Sequence, residues 1–194
     1  MKTEIEAKFL DINQDEMRQK LKSIGAICKQ PMQLMRRMTF ATPEMKKRNG
    51  FIRVRDEGYR ITMTYKQYDE MSLTGAKEIE ITVSDYDQAV ELIKASDIPV
   101  KSIQEARREV WELDDVEIVL DEWPWLNPYM EIEAPSEEQV KDTAKKLGLD
   151  WDTAVFGDIN EAFRVQYPHM KKEDAVYNLP HIRFDLPLPS ILEA

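Results

Sequence analysis

Residues 4–9 read Glu4-Ile5-Glu6-Ala7-Lys8-Phe9, so charged and apolar side chains alternate along this segment. In a β-strand, this spacing places both carboxylates and the ammonium on one face and the apolar side chains on the other. Two carboxylates about 7 Å apart on a stiff strand are suited to binding a hard divalent cation through oxygen. The lysine on the same face can hold an anion that the cation also contacts. An amphipathic strand with a solvated charged face shows the same pattern, so one segment leaves both interpretations open.

The same alternation recurs in six further short segments, each of which carries charges of one sign. The charged residues are Arg53 and Arg55, Lys66, Glu78 and Glu80, Arg107 and Arg108, Glu117 and Asp121, and Glu131 and Glu133. A random solvated sheet can show this pattern too. The grouping by sign, however, favours a lined cavity in which basic strands hold a polyanion and acidic strands hold the metal that neutralises it.

Length and composition limit the classes of protein that fit this chain. Its 194 residues suit one domain with a sizeable core. The net charge of −10 argues against general nucleic-acid binding and against binding to acidic membranes, but not against a small polyanion held in a basic pocket. Cys28 is the only cysteine, which excludes an internal disulfide and fits a reducing compartment. Without a membrane span or a signal peptide in the sequence, we expect a cytoplasmic protein.

Hydrophobic periodicity and turn residues predict mainly strands, interrupted by four helices. Strands are predicted at 3–10, 33–40, 51–56, 59–67, 77–83, 103–113, 116–122 and 129–134. Helices are predicted at 13–27 with a stop at Gly25, from a cap at Ser84 to about Ser96, from a cap at Ser136 to Gly148, and at 158–167. The expected domain covers residues 1–167. Residues 168–194 form a proline-containing tail in which a long helix cannot form.

Eight short, largely antiparallel strands can curl into a barrel whose lumen holds side chains or one small ligand. The apolar strand faces then point outward, where the amphipathic helices are available to cover them. An ordinary sandwich would bury the apolar faces against each other and leave the helices without a surface to pack on. The expected fold is therefore α+β, an eight-stranded antiparallel barrel with a charged lumen and helices outside.

The order and spacing of these motifs resemble those of the CYTH superfamily, also called triphosphate tunnel metalloenzymes. The resemblance covers roughly residues 3–165. It rests on Glu4-x-Glu6-x-Lys8, Ile52-Arg53-Val54-Arg55, Lys66, Glu78-x-Glu80, Leu120-Asp121-Glu122 and Glu131-Ile132-Glu133. The superfamily includes class IV adenylyl cyclases, thiamine triphosphatases, inorganic tripolyphosphatases and RNA triphosphatases. The resemblance implies an eight-stranded tunnel that holds a triphosphate, with Mg²⁺ or Mn²⁺ at one side.

The resemblance also implies roles for the acidic residues. Glu4 and Glu6 are similar to metal ligands, with Glu131 or Glu133 opposite them. Three further carboxylates either hold a second metal or orient the basic residues, namely Glu78, Glu80 and Asp121. The residues expected to be catalytic are Glu4, Glu6, Lys8 and Asp121.

The basic residues are similar to clamps that bind the triphosphate, because arginine forks suit phosphate oxygens through bidentate charged hydrogen bonds. The expected substrate-binding residues are Lys8, Arg37, Arg53, Arg55, Lys66, Arg107 and Arg108.

The chain departs from the family pattern at several positions. Members of the family often carry a basic residue four positions before the aspartate of the seventh strand. This chain has Glu117 at that position. The second strand carries Arg37 and Thr39 in place of an acidic and an aromatic residue, and Arg37 or Arg36 restores a positive charge. These departures leave the triphosphate interpretation standing but bear on which substrate is bound.

A further departure concerns the sixth predicted strand, where the usual lysine two residues before Arg108 is Ala106. In a regular strand, Ala106 shares the face of Arg108, and Arg107 points away. A β-bulge would instead turn Arg107 inward, where it would do the work of the lysine. Both alternatives remain open from the sequence.

The expected function is divalent-metal-dependent hydrolysis of a small-molecule triphosphate, either inorganic tripolyphosphate, a nucleoside triphosphate or thiamine triphosphate. One alternative is a class IV adenylyl cyclase, in which the substrate's 3′-hydroxyl attacks the α-phosphorus. A second is a non-catalytic module that binds polyphosphate or nucleotide, because a fold does not determine a function. The sequence leaves open whether the protein is a homodimer.

Two other features are interpreted as structural. Trp123-Pro124-Trp125 is expected to be a packed turn and not a base-stacking platform, since aromatic side chains usually lie in the core. His169 and His181 lie in the tail and are not expected to be catalytic, because an acid–base histidine needs a rigid support.

Overall fold

The computed structural model describes residues 1–171 and 173–194, and these form ten β-strands and five α-helices. The strands are β1 (Lys2–Thr3), β2 (Glu6–Phe9), β3 (Ile27–Phe40), β4 (Gly50–Asp56), β5 (Ile61–Tyr68), β6 (Ala76–Val83), β7 (Val100–Leu113), β8 (Val116–Trp123), β9 (Leu126–Glu133) and β10 (His181–Ile182). The helices are α1 (Gln14–Ser23), α2 (Pro43–Lys47), α3 (Tyr86–Ala95), α4 (Glu137–Lys146) and α5 (Ile159–Gln166). In the described part of the chain, no helix has both the length and the apolar character needed to cross a membrane.

The N-terminal segment joins the two edges of one curled antiparallel sheet. The strand order is β1-β6-β5-β4-β3-β7-β8-β9-β2, with the short β10 added in parallel beside β7. Strands β1 and β2 stand at opposite ends of this order, although only residues 4–5 separate them in the chain. The backbone N–H of Glu4 donates to the carbonyl of Ala76, and the N–H of Ala134 donates to the carbonyl of Ile5. One stretch of chain therefore brings the sheet edges together around a lumen.

The expected α+β fold with a curled antiparallel sheet is confirmed, and the strand count differs from the prediction. The strand predicted at 3–10 is divided, because the chain passes there from one sheet edge to the other. Strand β3 begins at Ile27, six residues before its predicted start at 33, and pairs with β7 along most of its length. The N-cap of α3 is Asp85 and not Ser84, since the Asp85 carboxylate accepts from the N–H of Gln88 at 2.8 Å.

The apolar faces of the strands point outward and pack against the helices. One cluster joins α1 and α4 to β8 and β9, with Leu21, Val140, Ile118 and Ile132 all fully buried. A second cluster packs α3 against Phe40 and other residues of β3 and β4. Complete burial of each large aliphatic side chain contributes about 2 kcal/mol. The helices thus stabilise the sheet from outside and leave the charged face for the lumen.

The C-terminal segment, residues 168–194, completes the wall beside β7. Strand β8 pairs with β7 only at residues 107–113, and β10 pairs with it at residues 103–104. The Ser102 hydroxyl donates to the carbonyl of Leu179 at 2.6 Å, and the N–H of Ile103 donates to the carbonyl of Pro180 at 2.9 Å. Buried Val176 and Leu192 pack in the same apolar cluster as α5. The C-terminal segment is therefore attached to the part of β7 that β8 does not reach.

Candidate functional site

A cavity of about 850 Å³ occupies the lumen, and most of the charged residues found by alternation line it. Its basic lining residues include Lys8, Arg37, Arg53, Arg55, Lys66 and Arg108. Its acidic lining residues include Glu4, Glu6, Glu78, Glu80, Glu131 and Glu133. Both signs of charge therefore meet in one space, as the grouping of charges along the chain predicts.

Three carboxylates converge in the acidic part of the lumen. Glu4, Glu6 and Glu133 each offer an oxygen, and these oxygens lie within 4.8 Å of one another. The convergence follows from strand pairing, because Glu6 and Glu133 are register partners on β2 and β9. The buried Oε2 atom of Glu4 lies 2.5 Å from the Lys66 ammonium. Three converging carboxylate oxygens fit a hard divalent cation.

Neighbouring carboxylates change their proton affinities in ways that also favour a cation. Burial and the nearby Glu4 carboxylate raise the pKa of Glu78 to about 7. Burial and Glu4 likewise raise the pKa of Glu133. Burial alone would raise the pKa of Glu131, but the Lys8 ammonium and the Arg108 guanidinium outweigh it and lower that pKa to about 2. The acidic part of the lumen therefore contains mutually repelling carboxylates, whose charges a cation would balance.

Opposite the acidic part, arginines on β3 and β4 carry more positive charge than their neighbours balance. Arg37 and Arg55 are register partners. Burial and the neighbouring arginines lower the pKa of Arg37 to about 9 and that of Arg55 to about 10. Among described residues, no carboxylate lies within 4.0 Å of Arg37, and its buried Nε and Nη2 atoms lack hydrogen-bond partners. An unpaired buried guanidinium group that faces a cavity is suited to an anionic ligand.

Arg55, unlike Arg37, has a buried carboxylate partner. Glu57 pairs with Arg55 and with Arg60, whose Nε donates to it at 2.6 Å. Burial alone would raise the pKa of Glu57, but Arg55 and Arg60 outweigh it and lower that pKa to about 2. The ion pair therefore stabilises the fold above pH 4.5, the ordinary pKa of glutamate, and this contribution is lost as the pH falls towards 2.

We expect Glu57→Gln to lower the free energy of unfolding by about 3 kcal/mol at pH 7, because it leaves Arg55 buried without its counter-charge. The difference from wild type should shrink as the pH falls from about 4.5 towards 2, because Glu57 takes up a proton in the unfolded chain over this range while the folded carboxylate stays charged. Denaturant unfolding at pH 7, 5 and 3 measures this. Glu44→Gln, at an exposed pair with Lys47, is the control and should change stability by less than about 0.5 kcal/mol. A difference that does not depend on pH would contradict this account of Glu57.

Asp121 is not brought into the acidic cluster, which corrects its expected role as a metal ligand or catalytic group. It is fully buried and accepts two hydrogen bonds from Arg108, at 2.7 and 2.5 Å. The Tyr129 hydroxyl donates a third at 3.0 Å. The carboxylate is thus occupied by its neighbours, since β8 pairs Asp121 directly with Arg108. Its position suits it to orienting Arg108, the other role that the sequence left open.

Arg107 lies outside the lumen, which corrects its expected place among the substrate-binding residues. It pairs with Glu122 at 2.9 Å and lies over the Phe184 ring on the outer surface. The register between β7 and β8 is unbroken across Arg107 and Arg108, so no bulge turns Arg107 inward. Ala106 is buried on the same strand face as Arg108, as a regular strand requires.

Several lumen residues were not predicted from the sequence. Tyr68 and Tyr129 stand two residues from Lys66 and Glu131 on the same strand faces, so extending the alternation would have found them. Others come from irregular segments or a strand end, where periodicity gives no signal, namely Lys101, Asp158, Tyr177 and Asn178. Trp123 is buried, as the packed-turn interpretation predicts, and its ring lies 4.5 Å from the Arg37 guanidinium.

The fold and site together define an α+β protein whose curled antiparallel sheet encloses a lumen lined by acidic and basic residues. The family model of the CYTH domain matches residues 2–155, and the chain belongs to this family. No curated protein matches the sequence at a significant level.

Solved structures with the same fold come from archaea, bacteria and plants. The PH1012 protein of Pyrococcus horikoshii is 23% identical with a TM-score of 0.66, covering 78% of this chain and 93% of its own. A Vibrio parahaemolyticus protein, assigned provisionally as an adenylate cyclase, is 13% identical with a TM-score of 0.72, and the match covers 83% of this chain and 97% of that protein. The Hippeastrum protein HpAC1, reported to have a dominant triphosphatase activity, is 13% identical with a TM-score of 0.58, and the match covers 89% of this chain and 99% of that protein. At these identities the likeness is one of fold.

Proposed function

We propose that this protein hydrolyses a triphosphate bound in the lumen, with a divalent cation held by its acidic residues. The observation that carries the proposal is that one cavity holds both a buried arginine without a carboxylate partner and a cluster of three carboxylates. Arg37 is the unpaired arginine, and the oxygens of Glu4, Glu6 and Glu133 converge within 4.8 Å of one another, with lysine ammonium groups against them. A triphosphate with its cation fits both groups, because the anion faces the arginines and the cation faces the carboxylates.

Each group of lumen residues then has a role. Glu4, Glu6 and Glu133 would hold Mg²⁺ or Mn²⁺, which when bound polarises a phosphoryl oxygen as a Lewis acid. The arginines bind the phosphoryl oxygens and offset the charge that develops on them. Lys8 is fixed by Glu6 at 2.8 Å, by Glu131 at 3.0 Å and by the carbonyl of Gly157 at 2.8 Å, so its ammonium is preorganised. A lumen carboxylate near Glu4 orients the attacking water.

Product analysis with purified protein tests the proposal. Tripolyphosphate, ATP and thiamine triphosphate are each incubated with Mg²⁺ or Mn²⁺, and the products are separated. Release of orthophosphate that Glu6→Gln abolishes would support hydrolysis. Pyrophosphate with cyclic AMP would instead identify a cyclase, and the absence of any product alongside measurable binding would identify a binding module.

We expect Ala106→Lys to tighten the binding of tripolyphosphate by about tenfold, because the buried position 106 shares the strand face of Arg108 and an ammonium reaching from it would lie within Coulomb range of the anion. The gain should decrease with added salt, less steeply than for a surface pair. Calorimetric titration gives the dissociation constants. Arg107→Ala, on the outer face, is the matched control and should leave binding unchanged, whereas Arg108→Ala should weaken it. An unchanged constant for Ala106→Lys would contradict the inward placement of position 106.

A further inference from the structure

One part of the cavity wall is built from aromatic rings and not from arginines. Phe51 precedes Arg53 by two residues on β4, so it lies about 7 Å further along the same strand face. The Lys101 ammonium lies 3.9 Å from the ring centre of Tyr177 and 5.6 Å from that of Phe51. Asp158 and these three residues all line the cavity, and we call this group of four the vestibule.

The vestibule side chains do not belong to the apolar core. Phe51 and Tyr177 are half-buried and belong to none of the apolar clusters formed by the described residues. Lys101 has no carboxylate within 4.0 Å in residues 1–171 and 173–194, and burial lowers its pKa to about 8. The two rings and the ammonium contact one another and face the cavity outside the apolar clusters, so they are available to a ligand. Aromatic side chains of this kind bind planar bases by stacking.

The carboxylate of Asp158 indicates what kind of ligand fits. It caps α5, where it accepts from the N–H of Asn160 at 2.9 Å, and burial raises its pKa. A carboxylate beside the rings disfavours a further phosphate group, because like charges repel. It can accept a hydrogen bond from a ring amino group, while Lys101 can donate to a ring nitrogen or carbonyl. Rings, a donor and an acceptor together suit a heteroaromatic group with a polar edge.

The vestibule depends on residues outside the family match, which ends at residue 155. Tyr177 lies in a short 3₁₀ helix, residues 176–178, and the N–H of Val176 donates to the Asn160 side chain at 2.9 Å. The hydrogen bonds of Leu179 and Pro180 to β7 fix the following residues. Asp158 also comes from beyond the matched region. Asp158 and Tyr177 therefore come from this chain's C-terminal part, whereas Phe51 and Lys101 lie in the matched region, so the CYTH domain alone does not supply the complete vestibule.

We infer that the vestibule binds a planar heteroaromatic group attached to the triphosphate, so that the protein selects organic triphosphates over inorganic tripolyphosphate. This inference rests on the proposed function, since the phosphates must lie among the arginines for the attached ring to reach Phe51 and Tyr177. The C-terminal part of the chain is thereby a specificity element, while the arginine and carboxylate groups are indifferent to what the triphosphate carries.

Calorimetric titration in metal-chelating buffer, where no turnover interferes, tests this inference. The probes are tripolyphosphate, ATP, CTP, GTP, UTP and thiamine triphosphate. We expect wild type to bind at least one organic probe about tenfold tighter than tripolyphosphate. Tyr177→Ala and Phe51→Ala should each lose most of that preference while changing tripolyphosphate binding less than about twofold. Tyr177→Leu and Phe51→Leu keep apolar volume without the ring and serve where an alanine variant does not fold.

Phe184→Ala is the matched control, because this aromatic residue lies in the same C-terminal segment but on the outer surface under Arg107. It should leave all the dissociation constants unchanged. Equal wild-type affinity for tripolyphosphate and every organic probe would overturn the inference, as would equal losses for all probes in the Tyr177 and Phe51 variants. In both cases the proposed function survives. Failure of wild type to bind any probe, tripolyphosphate included, both in chelating buffer and with a divalent cation supplied, would overturn the proposed function and this inference with it.

Discussion

Glu6→Gln is expected to lower the turnover of a triphosphate by about a hundredfold or more while leaving the fold intact. The Glu6 carboxylate is one of three whose oxygens converge within 4.8 Å. Removing its charge weakens the cation site, and a bound cation stabilises developing phosphoryl charge by several kcal/mol. The fold should survive because Lys8 and Lys66, the two ammonium groups beside Glu6, keep Glu131 and Glu4 as partners. Glu4→Gln should act in the same direction.

Turnover measured over a series of Mg²⁺ concentrations checks this expectation, and calorimetric titration of Mn²⁺ provides a readout that is independent of activity. Both variants should need more metal for half-maximal rate and should bind Mn²⁺ more weakly. Glu91→Gln, at an exposed pair on α3, is the control and should behave as wild type. Full activity of Glu4→Gln and Glu6→Gln at limiting Mg²⁺ would remove these residues from the metal site.

Period-two alternation was sufficient to place the lumen face of the sheet. It put Arg53 and Arg55 on one face and the apolar residues between them on the other, and the curled sheet turns the charged face inward. The same rule could not separate Asp121 from the acidic cluster. Which residue lies opposite Asp121 depends on the register between β7 and β8, and that register pairs it with Arg108. β7 and β8 form a hairpin joined at residues 114–115, and the turn fixes its register, so this pairing follows from the two strands taken with their turn and not from the pattern within one segment.

The ring-lined wall shows a second limit of the sequence. Asp158 precedes a helix and Tyr177 lies in a single 3₁₀ turn, where no repeated spacing marks the side chains that face the lumen. Their placement follows from hydrogen bonds to β7 and α5 that join residues up to 77 positions apart. The proline residues of the tail correctly argued against a long helix there. They carried no information about where the segment docks.

Arg37→Met is expected to stabilise the ligand-free protein and to weaken triphosphate binding at the same time. The guanidinium is buried with two unpaired nitrogen atoms, and burial with the nearby arginines lowers its pKa to about 9. Replacing a poorly compensated buried charge by an apolar side chain of similar length should raise the free energy of unfolding by about 1 kcal/mol. Loss of charged hydrogen bonds to phosphate should weaken binding by about tenfold to a hundredfold.

Thermal unfolding without and with tripolyphosphate, together with calorimetric titration, separates these two effects. In a chain of this size, about 1 kcal/mol raises the melting temperature by about 2–4 °C. Added tripolyphosphate should raise it further in wild type than in the variant, because stabilisation by a ligand follows its affinity. Arg36→Met is the matched control, since the adjacent Arg36 is exposed and pairs with Asp56 on the outer face. Its substitution should leave the affinity unchanged. A residue kept for its ligand is expected to cost stability when the ligand is absent. If the Arg37 variant is instead less stable than wild type and binds tripolyphosphate as tightly, the guanidinium serves the protein's own packing and not the ligand.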